Sequence, residues 1–208
     1  VDVTTFGDLS LLNGGAIDTS TSGGDAGPVN VRAGNVTIDG QEGGVFPTGI
    51  YSKAIGGMDG SRAGSVDVAV SGDLLVFNGG QINTNTSTKG DAGSVKVIAR
   101  NITIDDQGRG RTTGMFSQAD SYSTGNAGTV DVTAREKLSL LNGGAISSST
   151  QSFGIAGSVT VNAETLLVDG RFDANNPSSI NATAGLSSSG QTGSVVVTAS
   201  DTITLSNG

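Results

Sequence analysis

The sequence contains no cysteine, histidine or tryptophan, and aromatic residues make up only 4% of its 208 residues. Without cysteine, neither a disulfide framework nor a thiolate metal site is available. The net charge is −8, with eleven Lys and Arg scattered among nineteen Asp and Glu. Because these carboxylates would repel a polyanion, the composition argues against nucleic acid as a partner.

Long hydrophobic runs are also missing from the sequence. No stretch approaches the ~20 consecutive apolar residues that a membrane helix needs, and no charged-then-apolar leader is seen before Val1. We therefore expect a soluble chain with no membrane insertion and no visible targeting signal.

Glycine is abundant, with 34 residues, and together with Ser, Thr, Asn and Val it favours strands joined by many turns. The phrase "LSLLNGGAI" occurs at residues 9–17 and again at 138–146, with a looser copy, "LLVFNGGQI", at 74–82. Its Asn-Gly pair recurs at Asn13, Asn78, Asn142 and Asn207, at spacings of 65, 64 and 65 residues. This period predicts repeats at 1–65, 66–129 and 130–194, with a partial repeat at 195–208, within one continuous segment.

A second marker, "AGSV" or a close variant, occurs twice per repeat and divides it into units of about 29 and about 36 residues. Each unit contains three short segments in which apolar residues alternate with other residues, as in strands with one buried face. The first segments align in the column Val1, Val29, Val66, Val95, Val130, Val159 and Val195. The second segments align in Leu9, Val36, Leu74, Ile102, Leu138, Leu166 and Ile203, and the third in Ile17, Ile50, Ile82, Met115, Ile146 and Ile180.

These columns predict an all-β fold, a right-handed parallel β-helix (β-solenoid) with three strands per coil. The chain would form about six and a half coils, two per 64–65-residue repeat, and a rod roughly 30 Å long. A propeller is disfavoured because its blades carry four strands in ~40–45 residues. Right-handedness is the default for parallel crossovers.

The residue after each second strand is predicted to form a structural corner. These positions are Asn13, Asp39, Asn78, Asp105, Asn142, Asp169 and Asn207. Asn and Asp tolerate the left-handed backbone conformation better than other non-glycine residues. Binding of a metal or a sugar by these side chains is the alternative, but every coil needs a corner whereas a ligand site rarely needs seven copies.

Catalytic and metal sites were sought among the acidic residues. The closest candidate is "DDQGRGR", with Asp105, Asp106, Arg109 and Arg111, because carbohydrate-cleaving enzymes pair carboxylates as acid and base. A turn whose carboxylates are balanced by arginine is the simpler interpretation. Isolated Asp-Gly pairs such as Asp59-Gly60 are candidates for weak Ca²⁺ binding, but they lack the spacing of known Ca²⁺ loops and turn chemistry explains them first. We therefore predict no enzymatic activity, no catalytic residue, no bound metal and no cofactor.

Outward positions offer candidate contact residues. Leu12, Phe77 and Leu141 form an apolar stripe in alternate coils, which indicates either lateral bundling of rods or a face covered by loops. Tyr51 and Phe116, expected side by side on the outside of the third strand, are candidates to stack on a sugar ring or to shield the backbone. The loops at 46–62, 112–126 and 176–190 differ most between repeats and are where specificity is expected.

The segments "LNGGAI", "AGSVxV", "VTIDGQ" and "ITIDDQ" resemble the repetitive shafts of filamentous-haemagglutinin-like exoproteins of the two-partner secretion type, particularly large forms abundant in cyanobacteria. The resemblance covers essentially the whole chain and is specific for architecture rather than activity. It implies a β-helical shaft that is secreted across the outer membrane and displayed or released as an adhesive or fibrous surface protein. The secretion domain and "NPNG" motif of that family are not seen in this sequence.

We therefore expect an extracellular or outer-surface rod, structural or adhesive, that forms a segment of a longer protein or fibre. Its expected partners are other copies, meeting end to end or laterally, or a host or matrix glycan or surface. The alternative is a β-helix that binds or cleaves polysaccharide. An acid pair facing across a groove on neighbouring coils would favour the cleaving alternative.

Overall fold

The computed structural model describes residues 1–40, 47–56, 60–121, 123–151, 153–170, 177–185 and 188–207. These residues form eighteen strands and no helix. The described residues therefore include no helix that is long and apolar enough to cross a membrane. The strands are β1 (Asp2–Thr4), β2 (Asp8–Leu12), β3 (Ala16–Asp18), β4 (Val29–Ala33), β5 (Asn35–Asp39), β6 (Gly49–Tyr51), β7 (Val66–Val70), β8 (Asp73–Phe77), β9 (Gln81–Asn83), β10 (Val95–Ala99), β11 (Asn101–Asp105), β12 (Thr113–Phe116), β13 (Val130–Ala134), β14 (Lys137–Leu141), β15 (Gly144–Ser147), β16 (Ser158–Asp169), β17 (Ser179–Asn181) and β18 (Ser194–Ser206).

The strands form two sheets in which every pair of neighbours is parallel. The larger sheet has twelve strands in the order β1-β4-β7-β10-β13-β16-β14-β11-β8-β5-β2, with β18 also paired to β16. The smaller sheet has six strands in the order β17-β15-β12-β9-β6-β3. The prediction of an all-β, parallel, solenoid-like fold is confirmed.

The predicted columns are confirmed by the pairing register. Val66 pairs with Val29 on one side and Val95 on the other, and Ile82 pairs with Ile50 and Met115. Like residues stack because the apolar side chain of each strand meets the same position on the next strand, ~4.8 Å away.

Three ladders of aliphatic side chains fill the interior between the sheets. Most of their members are less than 2% exposed, among them Val97, Ile104 and Leu140, and they belong to one continuous hydrophobic cluster. Complete burial of such side chains stabilises the fold by ~1.5–3 kcal/mol each. The core therefore extends along the whole stack, and each repeat depends on its neighbours for burial.

Inward hydroxyl groups and close-packed glycines hold the third strand against the start of the next unit. Thr84 Oγ1 donates a hydrogen bond of 2.9 Å to the carbonyl oxygen of Gly93, and Ser117 Oγ donates to the same oxygen. A side chain at Gly93 would place its Cβ only 1.8 Å from the carbonyl oxygen of Gly64. Buried hydroxyls are tolerated here because backbone carbonyls satisfy them.

Candidate functional site

The residues predicted as corners fall into two classes in the structure. Asn13, Asn78, Asn142 and Asn207 have φ values of 51°, 51°, 49° and 53°, the left-handed conformation expected for a corner. Asp39, Asp105 and Asp169 are instead the last residues of β5, β11 and β16, and the three lie outside the set of positive-φ residues. The expectation that these acids share the Asn position is therefore wrong.

The register explains the difference between the two classes. Asp39 pairs with Leu12 and Phe77, one position before Asn13 and Asn78. Glycine follows Asp39, and the amide of Gly40 donates to the carbonyl of Phe77, so a glycine rather than an acid stands where the next unit has asparagine. The Asp39 carboxylate accepts a hydrogen bond from that asparagine.

Asp and Asn side chains link successive repeats at this corner. The Nδ2 atoms of Asn78, Asn142 and Asn207 donate to the Oδ1 atoms of Asp39, Asp105 and Asp169 over 2.9, 2.9 and 3.0 Å. Hydrogen bonds to a charged acceptor contribute ~1.5–3 kcal/mol each. These side chains have a structural role between repeats.

The carboxylates of "DDQGRGR" accept hydrogen bonds from residues in and next to their own turn. Asp106 is fully buried, and its carboxylate accepts bonds from Thr113 Oγ1 at 2.6 Å and from the backbone amide of Arg111 at 2.8 Å. Asp105 accepts from the amide of Gln107 at 2.7 Å and from Asn142. Within the described ranges, no three His, Cys, Asp or Glu side chains are grouped so as to hold a metal ion.

The apolar stripe on the second strand is interrupted by acids. The register places Asp39 between Leu12 and Phe77, and Asp105 between Phe77 and Leu141. Leu12 is 43% exposed, whereas Phe77 and Leu141 are half-buried. The surface therefore alternates apolar and charged side chains at every rung.

Tyr51 and Phe116 are not the exposed aromatic pair expected from the sequence. They are only 1% and 4% exposed, and both pair with Asn83, which lies between them on β9. The Tyr51 hydroxyl donates to the Thr48 carbonyl at 2.9 Å, and the Lys53 ammonium lies 4.6 Å from the ring centroid. Burial raises the pKa of the Tyr51 hydroxyl.

Glycine explains this burial. The Tyr51 hydroxyl lies 3.0 Å from the position that a Cβ on Gly49 would occupy, so the ring folds back over the glycine. Gly114 stands two residues before Phe116 in the same way. Of the two uses considered for these aromatics, shielding the backbone fits the structure, and stacking on a sugar ring does not.

The structure reveals a trough on the outside of the smaller sheet that the sequence reasoning missed. It has a volume of about 450 Å³ and lies over β15. The neighbouring strands β12 and β17 flank it on either side. Its lining is Phe116, Gln118, Ser121, Ala145, Ser147, Ser149, Thr150, Gln151, Asn181, Thr183 and Gly185. The signal for it was the run of small residues "GAISSST" at 144–150.

The electrostatics of this face are dominated by neutral groups. Among the residues that the structure describes, those lining the trough include no charged side chain. Beside it, Asp120 accepts a bond of 3.1 Å from Asn85, and burial raises the pKa of the Asp120 carboxyl while Asn85 and the charge of Lys53 act in the opposite direction. The loop residues Phe46 and Asn176 and the candidate calcium residue Asp59 lie outside the described residues.

No protein-family model matches the chain, and neither curated proteins nor solved structures gave a match.

Proposed function

We propose that the chain is a segment of an extracellular structural or adhesive rod. The rod would be a right-handed parallel β-helix with three strands per coil and two coils per repeat. The observation that carries this proposal is the continuous series of parallel pairs, from β1 to β18 in the larger sheet and from β3 to β17 in the smaller one. The β16–β18 pair contains a register shift between Ala163 and Thr165. Pairing of this kind adds coils along one axis without changing the cross-section.

The chemistry of the surface supports a scaffold role without catalysis. Oδ1 of Asp105 and both carboxylate oxygens of Asp106 already accept hydrogen bonds within the repeat array. Right-handed crossovers follow from strand twist. Membership of the filamentous-haemagglutinin-like exoproteins, and display at the outer cell surface, are part of the proposal through the sequence resemblance.

Small-angle scattering and electron microscopy of the purified chain test this proposal. We expect a cross-section that stays constant along the particle, together with a ~4.8 Å axial repeat in any filament it forms. Because about six and a half coils span only roughly 30 Å, a single segment has no long axis. A scattering profile that no stack of coils about 30 Å long can fit, or a filament without the ~4.8 Å repeat, would contradict the proposal. Dispersed single particles would restrict the proposal to a shaft and exclude end-to-end fibres.

A second candidate function is polysaccharide binding. The neutral trough over β15 favours it, because polar side chains around a concave surface are the usual means of fixing a small ligand. Polysaccharide cleavage has no comparable support among the described residues.

A further inference from the structure

The shape of the trough follows from the side chains on three neighbouring rungs. In register, Ser147 lies between Phe116 and Asn181, and Ala145 lies between Gly114 and Ser179. At Ser147 a small side chain on β15 makes the floor, and the larger side chains of Phe116 and Asn181 on the neighbouring strands make the walls. Strand spacing puts the wall backbones about 10 Å apart, which suits one extended chain lying along β15.

The floor and walls are joined by a network of neutral hydrogen bonds. Asn181 Oδ1 accepts from Ser147 Oγ at 2.6 Å and from Ser149 Oγ at 2.8 Å. Gln118 Nε2 donates to Ser147 Oγ at 3.0 Å, and Ser149 Oγ lies 3.1 Å from Thr183 Oγ1. These bonds fix the orientation of the side chains before any ligand arrives, which lowers the entropy cost of binding.

Hydrogen-bonding capacity remains for a ligand. A primary amide has two N–H donors and a hydroxyl has two acceptor lone pairs. Gln118 uses one N–H on Ser147, Asn181 uses one on Ser179, and Gln151 uses its carbonyl oxygen to accept from Ser121. The second N–H of Gln118 and of Asn181, and both N–H groups of Gln151, are suited to sugar hydroxyls, which both donate and accept. Ser149 Oγ already accepts from the backbone amide of Thr183, so the amides supply most of the remaining capacity.

A sugar fits this surface better than an extended peptide does. Peptides that add to a sheet bind its unpaired backbone edge, but β15 is paired on both sides, to β12 and β17. The trough therefore presents side chains only, and the absence of charge in its lining disfavours an anionic ligand. Its volume lies within the ~300–1,000 Å³ typical of ligand sites.

We propose that the trough formed by Ala145, Ser147 and Ser149, with Gln118 and Asn181 as walls, binds a segment of a neutral oligosaccharide. The sugar chain lies along β15, and its hydroxyls exchange hydrogen bonds with the amides and hydroxyls of the walls. This inference rests on the adhesive role proposed above and names the class of ligand that the role requires.

Affinity electrophoresis through gels containing neutral polysaccharides tests the site. The probes are an α-glucan, a β-glucan, a galactan and a mannan, with the sulfated α-glucan as the charged counterpart and neutral extended peptides as competitors. Ala145→Leu fills the floor without removing a hydrogen bond, and Gln151→Ala removes an amide from the exposed rim. Ala16→Leu is the matched control, because Ala16 lies in the identical phrase "LSLLNGGAI" outside the trough.

We expect at least one neutral polysaccharide to retard the wild-type protein. The dissociation constant should rise at least tenfold in Ala145→Leu and several-fold in Gln151→Ala, with Ala16→Leu unchanged. Circular dichroism identifies any variant that fails to fold, and Gln151→Ala, at an exposed position, then carries the test.

Several results would overturn the inference: no retardation by any neutral polysaccharide, retardation only by the sulfated one, displacement by peptides, or equal loss in Ala16→Leu. Electron microscopy of the same preparations reports the rod separately. Filaments with the ~4.8 Å axial repeat that bind none of the probes would overturn the trough and leave the rod, whereas binding by a protein whose filaments lack that repeat would overturn the rod alone.

Discussion

Substitution of Gly93 by alanine tests how tightly successive repeats are stacked. A Cβ at this position would lie 1.8 Å from the carbonyl oxygen of Gly64 and 3.2 Å from Cβ of Thr84. Ordinary contacts begin near 3.4 Å, so the two backbones would have to separate by roughly 1.6 Å. The backbones at Gly64 and Gly93 both lead into strands that are paired in the larger sheet. Neither backbone can move without loss of the hydrogen bonds between those strands.

The expected cost is the sum of overpacking and weakened hydrogen bonds. Overpacking of a close-packed site costs ~1–3 kcal/mol. The Gly93 carbonyl also accepts from Thr84 and Ser117, and each such bond contributes ~1 kcal/mol net. We expect Gly93→Ala to lower the free energy of unfolding by ~3–5 kcal/mol.

Urea unfolding followed by circular dichroism measures this change. Gly23→Ala is the control, because no atom lies within 4 Å of a Cβ there, and its effect should be within ~0.5 kcal/mol of zero. Hydrogen exchange should show the loss of protection concentrated in β7, β10 and β13, since each repeat contacts only its neighbours. Equal unfolding midpoints for the two variants would refute the stacking argument.

Three further changes test the corner, the buried acid and the core. Asn78→Asp keeps a residue tolerant of the left-handed conformation but replaces the amide donor with a second carboxylate facing Asp39. It should lower the free energy of unfolding by ~2–4 kcal/mol in a urea titration at pH 7. Asp120→Asn should raise the melting temperature at pH 7. Because burial raises the folded-state pKa of Asp120 above 3.8, the wild type regains stability as pH falls through that pKa, and the difference should vanish below pH ~3.8. Ile104→Ala should lower the free energy of unfolding by ~2–5 kcal/mol, against ~0.5–1.5 for Ile104→Val, in the same urea assay.

The sequence by itself determined the period of the repeat and the aliphatic residues that stack inside. These properties are readable because parallel stacking places equivalent residues on each other, so a period in the chain becomes a column in space. Val66 meeting Val95 and Ile82 meeting Met115 follow from spacing alone. The left-handed conformation of Asn13 and its equivalents follows from the intrinsic preference of Asn before Gly.

Tertiary structure decided what the outward side chains do. The alternation of apolar and polar residues along the strand predicts that Tyr51 points away from the core. Packing in three dimensions folds its ring over Gly49 and leaves the residue 1% exposed. Asp39 pairs with Phe77, one position before Asn78. Because of this offset, the Asn78 amide can donate a hydrogen bond to the Asp39 carboxylate. The trough over Ser147 likewise exists because small and large side chains from distant parts of the chain become neighbours. The local sequence encodes the period of the repeat and whether a side chain points into or out of the core. The exposure of an outward side chain and its hydrogen-bond partners depend on the residues that neighbouring strands place next to it.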